Sequence, residues 1–159
     1  MNERKESIIN KLERGRAEFA YRCALEGKEI ISGKEIAGEY YRDDKYKSYV
    51  KKVSTMILTS GLGQTLAFIF SKKQKEKNKK KPGTEENPKN AYDLLYRHLS
   101  EYLKSECVTG IRMPEGKDLL RWIVEIDSAK YRHLTNEVLA FINWLKRVAE
   151  GLIEKESEG

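Results

Sequence analysis

The chain has 159 residues, a length typical of a single domain with one hydrophobic core. Charged residues make up 35% of it, mainly lysine and glutamate, a bias typical of proteins from thermophiles. Cys23 and Cys107 are too few for a disulfide framework or a zinc quartet. No stretch is apolar enough to cross a bilayer, and the first residues lack the apolar core of a signal peptide. We therefore expect a cytoplasmic protein without membrane contact.

The net charge is unevenly distributed along the chain. It is +6 overall, and residues 72–81, which contain seven lysines and one glutamate, carry that much on their own. Outside this tract the first half of the chain is mildly basic and the second half mildly acidic. A polyanion is therefore attracted to the tract and to the first half of the chain.

The helical spacing of apolar residues predicts three helices before the lysine-rich tract. The first spans residues 4–26 and ends at a loop that contains Gly27, while residues 32–44 are either a loop or a short helical turn. The second begins at about Lys45 and ends at Gly61, where glycine favours a turn. The third follows at once, and the side chains expected to face the core are those of Leu62, Leu66, Ile69 and Phe70.

Three more helices are predicted after the tract. Residues 72–87 cannot bury apolar surface and are expected to form a flexible linker. Asn87, followed by proline, is a favourable start for the fourth helix; Pro114 opens a short fifth helix, and Asp127 caps the sixth. The sequence therefore predicts an all-α fold, a single compact bundle of about six helices that forms one domain over residues 1–159.

The residues that usually carry catalysis do not form a recognisable constellation. His98 and His133 have no metal-binding partner at helical spacing, so both are expected to be ordinary, partly exposed side chains. Cys23 lies on the apolar stripe of the first helix, and Cys107 has no base arranged beside it. We therefore predict no catalytic residue, no metal site, no cofactor and no enzymatic activity.

Residues 61–65 resemble the front of a dinucleotide-binding loop. No strand precedes them and the third glycine of the motif is missing, so the main interpretation is a tight turn between two packed helices. In the alternative, Gln64 and Thr65 lie at a helix N-terminus and contact a phosphate or the backbone of a partner.

Three groups of basic residues in the first half are candidates for nucleic-acid binding. If the first two helices pack side by side, their bases share one surface that contacts phosphates without reading sequence. In the alternative, these side chains are only solvated helix faces, and the tract at 72–81 is only a solubilising linker. The candidate residues are Lys45, Lys47, Lys51, Lys52, Arg14, Arg16 and Arg22.

Four stretches carry a resemblance to a known family. They are residues 46–53 (YKSYVKKV), 61–68 (GLGQTLAF), 17–24 (AEFAYRCA) and 91–103 (AYDLLYRHLSEYL). Together with the long terminal helix, these stretches resemble the small subunit of the type III-B CRISPR RNA-silencing complex, the Cmr effector.

The resemblance implies a small all-α subunit without catalytic activity that serves in antiviral defence. Copies of such subunits stack along an inner filament of the complex and line the channel for guide RNA and target RNA, while other subunits cleave. The implied partners are therefore the other Cmr subunits, further copies of the chain, guide RNA and target RNA.

Two other functions are compatible with the residues. In one, the basic half docks onto an acidic partner protein and never touches RNA, so the chain is a pure protein–protein interaction module. In the other, the chain is a metal-dependent nuclease, although no metal-binding motif supports that function.

Overall fold

The structure, a computed structural model, describes residues 8–32, 45–73, 90–108 and 110–153. Those residues form six helices and no strand, which confirms the predicted all-α bundle. None of the described helices is long and apolar enough to span a bilayer. The division into one domain over residues 1–159 stays a prediction. The helices are α1 (Ile8–Ser32), α2 (Tyr46–Ser60), α3 (Leu62–Lys72), α4 (Ala91–Lys104), α5 (Leu119–Glu125) and α6 (Ser128–Leu152).

Aromatic side chains from three helices meet at the centre of the core. The two longest helices, α1 and α6, pack against each other, and α4 also contacts α1. Phe19 of α1 meets Tyr102 of α4 and Phe141 of α6 edge-on, with ring centroids 5.6 and 5.7 Å apart. Tyr102 and Phe141 stack with centroids 4.2 Å apart. Since each such pair contributes about 0.5–1.5 kcal/mol beyond the area it buries, this cluster joins the three helices.

Helix α1 continues past the loop that was predicted at Gly27 and ends at Ser32. Gly27 is buried against the ring of Tyr46 in α2, and a Cβ placed on Gly27 would lie 2.3 Å from Tyr46 Cδ1. Glycine therefore allows two helices to approach closely at this position, and the prediction of a loop was wrong. Residues 33–44, which the sequence left ambiguous, lie outside the described part of the chain.

The turn between α2 and α3 has the predicted form. Gly61 has a φ angle of 87°, which glycine adopts without strain, and its N–H donates to the Ile57 carbonyl at 3.0 Å. Thr65 is fully buried and donates to the Gly61 carbonyl at 2.7 Å, so its hydroxyl does not face a phosphate as in the alternative interpretation. The Gly63 N–H donates to the Tyr131 hydroxyl at 2.8 Å, which attaches the α2–α3 hairpin to α6.

The end of α3 differs from the prediction. Phe70 is 38% exposed, because other apolar side chains of the helix already fill its buried face. Its predicted inward position was therefore wrong. The helix runs to Lys72, so it includes the first residue of the linker predicted over 72–87. The remainder of that linker from residue 74 onward lies outside the described ranges.

Side-chain caps define where the helices of the second half begin. Asn90 is the N-cap of α4, since its amide oxygen accepts a backbone N–H at 2.8 Å, and the predicted cap at Asn87 was wrong. Helix α5 begins after Asp118, whose carboxylate caps it, so the start predicted at Pro114 was too early. Asp127 caps α6 as predicted.

Candidate nucleic-acid interface

The exposed side of α2 carries two of the lysines predicted to bind nucleic acid. Lys51 and Lys52 are exposed, and with the hydroxyl-bearing Ser48 and Thr55 they line a shallow, open depression on the surface. Ammonium and hydroxyl groups are the side-chain donors that usually contact phosphate oxygens. The opposite side of α2 faces the core through Tyr46, Val50, Val53 and Ile57.

The remaining two predicted lysines lie at the start of α2. Lys45 immediately precedes the helix and is exposed. Lys47 is half-buried, and its ammonium donates to the Ile153 carbonyl, just beyond the end of α6, at 3.3 Å. That bond uses one of the three N–H donors of the ammonium, so the others remain for an anion.

A further group of lysines, which the sequence analysis assigned to the linker, lies at the end of α3. The Nζ atoms of Lys52 and Lys72 lie 4.8 and 5.7 Å from the ring centroid of Phe68. The Nζ of Lys73 lies 4.3 Å from the ring centroid of Tyr96. All three distances fall within the range of cation–π attraction. Packing of α2 against α3 therefore brings Lys52 and Lys72 to one ring.

The hairpin of α2 and α3 has a charge of +6 in its sequence. Residues 45–73 contain six lysines and no acidic residue, and the chain as a whole carries +6, so the rest of the sequence is balanced. Within the described residues, five of these lysines form no ion pair: Lys47, Lys51, Lys52, Lys72 and Lys73. This signal was available in the sequence, as the absence of aspartate and glutamate from residues 45–73.

Arg16, also predicted to contact phosphate, points into the protein. Its side chain is 13% exposed, and its guanidinium donates to the Glu137 carboxylate and to the Tyr102 hydroxyl at 3.1 Å. Burial lowers the pKa of Arg16, but the hydrogen bonds to Tyr102 and Glu137 outweigh that effect and raise the pKa above its ordinary value. Because each of its three nitrogen atoms already donates to a side chain of the protein (Tyr102, Glu137 or the half-exposed Glu13), we do not include Arg16 in the interface proposed below.

Arg14 and Arg22 lie on the exposed side of α1. The guanidinium carbon of Arg22 lies 4.8 Å from the Phe19 ring centroid. Helix α1 meets α2 where Gly27 faces Tyr46. At 1.5 Å per residue, Arg22 is about 8 Å and Arg14 about 20 Å from Gly27 along the helix axis. Arg22 is therefore the arginine closer to the start of α2.

Comparison with known proteins identifies the family. The sequence profile of the family described as CRISPR-associated protein (Cas_Cmr5) matches residues 12–152. The chain belongs to this family. A relative named as the CRISPR system Cmr subunit Cmr5 of Thermus thermophilus is 29% identical over 111 residues, which cover 70% of this chain and 77% of the relative. A crystal structure of a Cmr5 family protein from Thermus thermophilus matches with a TM-score of 0.58 and 26% identity, over 89% of this chain and 97% of that one.

Membership of the Cmr5 family confirms the resemblance to the small subunit of the type III-B Cmr complex. Two of the stretches that carried the resemblance meet inside the bundle. Tyr46 Oη of α2 and His98 Nδ1 of α4 are hydrogen-bonded at 2.7 Å, and both side chains are fully buried. The expectation that His98 is partly exposed was therefore wrong, because the packing of α2 covers it.

The other ring nitrogen of His98 faces Glu26 of α1. Its Nε2 is buried and has no hydrogen-bond partner among the described residues, and Glu26 Oε1 lies 3.6 Å away, just beyond hydrogen-bonding distance. The interaction with His98 lowers the pKa of the Glu26 carboxyl, and burial opposes that effect. Glu26, His98 and Tyr46 thus link α1, α4 and α2.

The lowered pKa of Glu26 predicts how its contribution to stability depends on pH. A carboxyl whose folded-state pKa is depressed stabilises the folded protein above its ordinary pKa of 4.5, and that stabilisation is lost as the pH falls through the depressed value. In urea unfolding at a series of pH values, we expect the Glu26→Gln variant to be less stable than the wild type at neutral pH. The difference should shrink on acidification below 4.5. The exposed Glu150→Gln substitution is the control, and a difference independent of pH contradicts the prediction.

The remaining cysteine and histidine side chains among the described residues are those of Cys23, Cys107 and His133. Cys23 is buried as predicted, and burial raises the pKa of its thiol, which keeps it protonated and unreactive. His133 is half-exposed and Cys107 half-buried. Within the described ranges, no group of three histidine, cysteine, aspartate or glutamate side chains is arranged to hold a metal ion. The absence of enzymatic activity stays a prediction.

Proposed function

We propose that the chain is a non-catalytic subunit of the type III-B Cmr complex that binds the backbone of RNA held in that complex. The observation that carries the proposal is the α2–α3 hairpin, whose residues 45–73 contain six lysines and no acidic residue. Such a surface attracts phosphates without selecting bases. The proposed contacts are Lys45, Lys47, Lys51 and Lys52 of the hairpin, and Arg14 and Arg22 of α1.

The proposed partners are the other Cmr subunits, further copies of the chain, guide RNA and target RNA, all in the cytoplasm. The name of the relative from Thermus thermophilus, a Cmr subunit, supports assembly with other subunits. One bundle offers few phosphate contacts, so the affinity of a single chain for RNA is weak. Stacking of copies along one RNA raises the effective concentration of each contact.

Charge reversal on α2 tests the proposal. In the assembled complex, Lys47→Glu/Lys51→Glu is expected to weaken RNA binding because two phosphate contacts are lost. Each contact to a single strand contributes about 0.7 to the slope of log affinity against log salt, so the slope should fall by at least about 1.4. A filter-binding titration at several salt concentrations measures both quantities.

Lys117→Glu/Lys130→Glu is the matched control, because it changes the net charge equally at exposed lysines outside the hairpin. It should leave the salt slope unchanged. If the variant on α2 has the affinity and slope of the wild type, these lysines do not contact RNA. Mapping the peptides that crosslink to RNA then separates the remaining functions. Crosslinks in other parts of the chain show that it binds RNA through a different surface. If no peptide of the chain crosslinks, docking of the basic half onto an acidic protein is favoured.

A further inference from the structure

We infer that Lys52 and Lys72, held over the ring of Phe68, form a second phosphate-binding position that extends the interface from α2 to the end of α3. Its ligand is the backbone of single-stranded RNA. This inference rests on the proposed function and adds Lys72, which was predicted to lie in a linker. The following packing and charge observations support it.

The position is built by packed side chains from three helices. Phe68 of α3 is half-buried and meets the ring of Tyr92 in α4 edge-on, with centroids 5.7 Å apart. Tyr92 in turn stacks on Tyr49 of α2 at 3.7 Å, with the two rings 10° from parallel. The Phe68 ring is therefore held in place between α2 and α4.

The backbone of Lys72 is also fixed. Its carbonyl accepts a hydrogen bond from the Asn90 side-chain amide at 2.9 Å, and Asn90 is the N-cap of α4. The N–H of the next residue, Lys73, donates to the Ile69 carbonyl at 2.9 Å. These hydrogen bonds therefore fix the backbone position of Lys72 in the last turn of α3. They involve only backbone atoms of Lys72, so replacing the Lys72 side chain leaves them intact.

The charges at this position favour binding of an anion. The ammonium groups of Lys52 and Lys72 lie 4.8 and 5.7 Å from one ring centroid, and neither forms an ion pair within the described residues. Two like charges near one ring repel each other, and RNA phosphates beside them offset that repulsion. Lys52 also borders the depression on α2, so an RNA strand that lies along Lys51 and Thr55 passes close to this position.

The aromatic cluster supports the lysines and does not stack with bases. Stacking with nucleic acid requires an accessible ring face. Tyr49 and Tyr92 cover each other, and the ammonium groups of two lysines lie over Phe68. The position should therefore bind the charged phosphates without distinguishing one base from another.

Alanine substitutions at Lys52 and Lys72 test the inference in the full chain. The probes are a short fluorescein-labelled oligouridine and an abasic strand of the same length, titrated by fluorescence anisotropy over a range of salt concentrations. Each single variant should reduce the salt slope by about 0.7 and the double variant by about 1.4. The losses should be the same on the abasic strand, and Lys130→Ala, at an exposed lysine elsewhere, should behave as the wild type.

The outcomes separate this inference from the proposed function. If Lys72→Ala binds as the wild type while Lys47→Glu/Lys51→Glu is impaired, RNA binding stands and the second position is overturned. If Lys52→Ala and Lys72→Ala weaken RNA binding and Lys47→Glu/Lys51→Glu does not, the second position binds RNA and Lys47 and Lys51 do not. Losses seen only with oligouridine show base stacking on Phe68, and losses seen only in binding to another Cmr subunit show a protein contact. Either result overturns the inference.

Discussion

Arg16→Met is expected to lower the free energy of unfolding by about 3 kcal/mol. The substitution removes both hydrogen bonds that Arg16 donates to the carboxylate of Glu137, a side chain only 5% exposed, and the bonds to Tyr102 and Glu13. Loss of one partner of a buried ion pair costs about 3–5 kcal/mol, and the lower end applies because Arg16 keeps some exposure. The midpoint of urea unfolding at an unchanged slope measures the loss.

Two variants serve as controls for this prediction. Arg121→Met removes an exposed arginine paired with exposed Glu125 and should change stability little. Arg16→Met/Glu137→Leu removes both buried charges and should recover much of the loss, since apolar replacements for a buried pair are often neutral. Wild-type stability in Arg16→Met would show that the pair contributes nothing, and Arg16 would again be a candidate RNA contact.

The inward position of Arg16 was partly available from the sequence. Arg16 follows Leu12 by four residues and precedes Phe19 by three, so helical spacing places it on the apolar stripe of α1. Its partner was not available, because Glu137 lies 121 residues away and only the packing of α1 against α6 brings the two together. Local periodicity predicts the face of a helix, and tertiary packing decides what that face meets.

The same distinction explains which helix boundaries were predicted. Asp127 was identified correctly as a cap, because an N-cap acts on the backbone of its own helix. Gly27 was assigned to a loop because its role depends on Tyr46, which belongs to another helix. His98 was expected to be partly exposed for a similar reason, since its burial depends on α2 and α1.

The residues of the candidate interface also fall into two groups, those predicted from local spacing and those that depend on tertiary packing. The exposed lysines of α2 were predicted because they lie off the apolar stripe of their own helix. The approach of Lys72 to Lys52 depends on the packing of α3 against α2 and on the ring of Phe68, and no local pattern contains that information. The absence of acidic residues from 45–73, which contain six lysines, is a sequence property that indicates the same surface.

Gly27→Ala is expected to lower the free energy of unfolding by about 2 kcal/mol. The added Cβ would lie 2.3 Å from Cδ1 and 2.6 Å from Cε1 of Tyr46. That ring is fully buried and hydrogen-bonded to His98, so it cannot move aside without breaking the bond. Overpacking a filled core costs about 1–3 kcal/mol, and such short contacts place this variant at the upper end. The higher helix propensity of alanine offsets about 1 kcal/mol of that cost.

Gly151→Ala makes the same chemical change at a position where no atom of the described residues lies within 4 Å of the added Cβ. It should stabilise the protein by up to about 1 kcal/mol, because only the gain in helix propensity remains. The difference between the two variants in urea unfolding therefore measures the close approach of α1 to α2. Equal stability of both variants would contradict that contact. Because Tyr46 lies between Lys45 and Lys47, the contact that excludes a methyl group at Gly27 also positions the first lysines of the proposed interface.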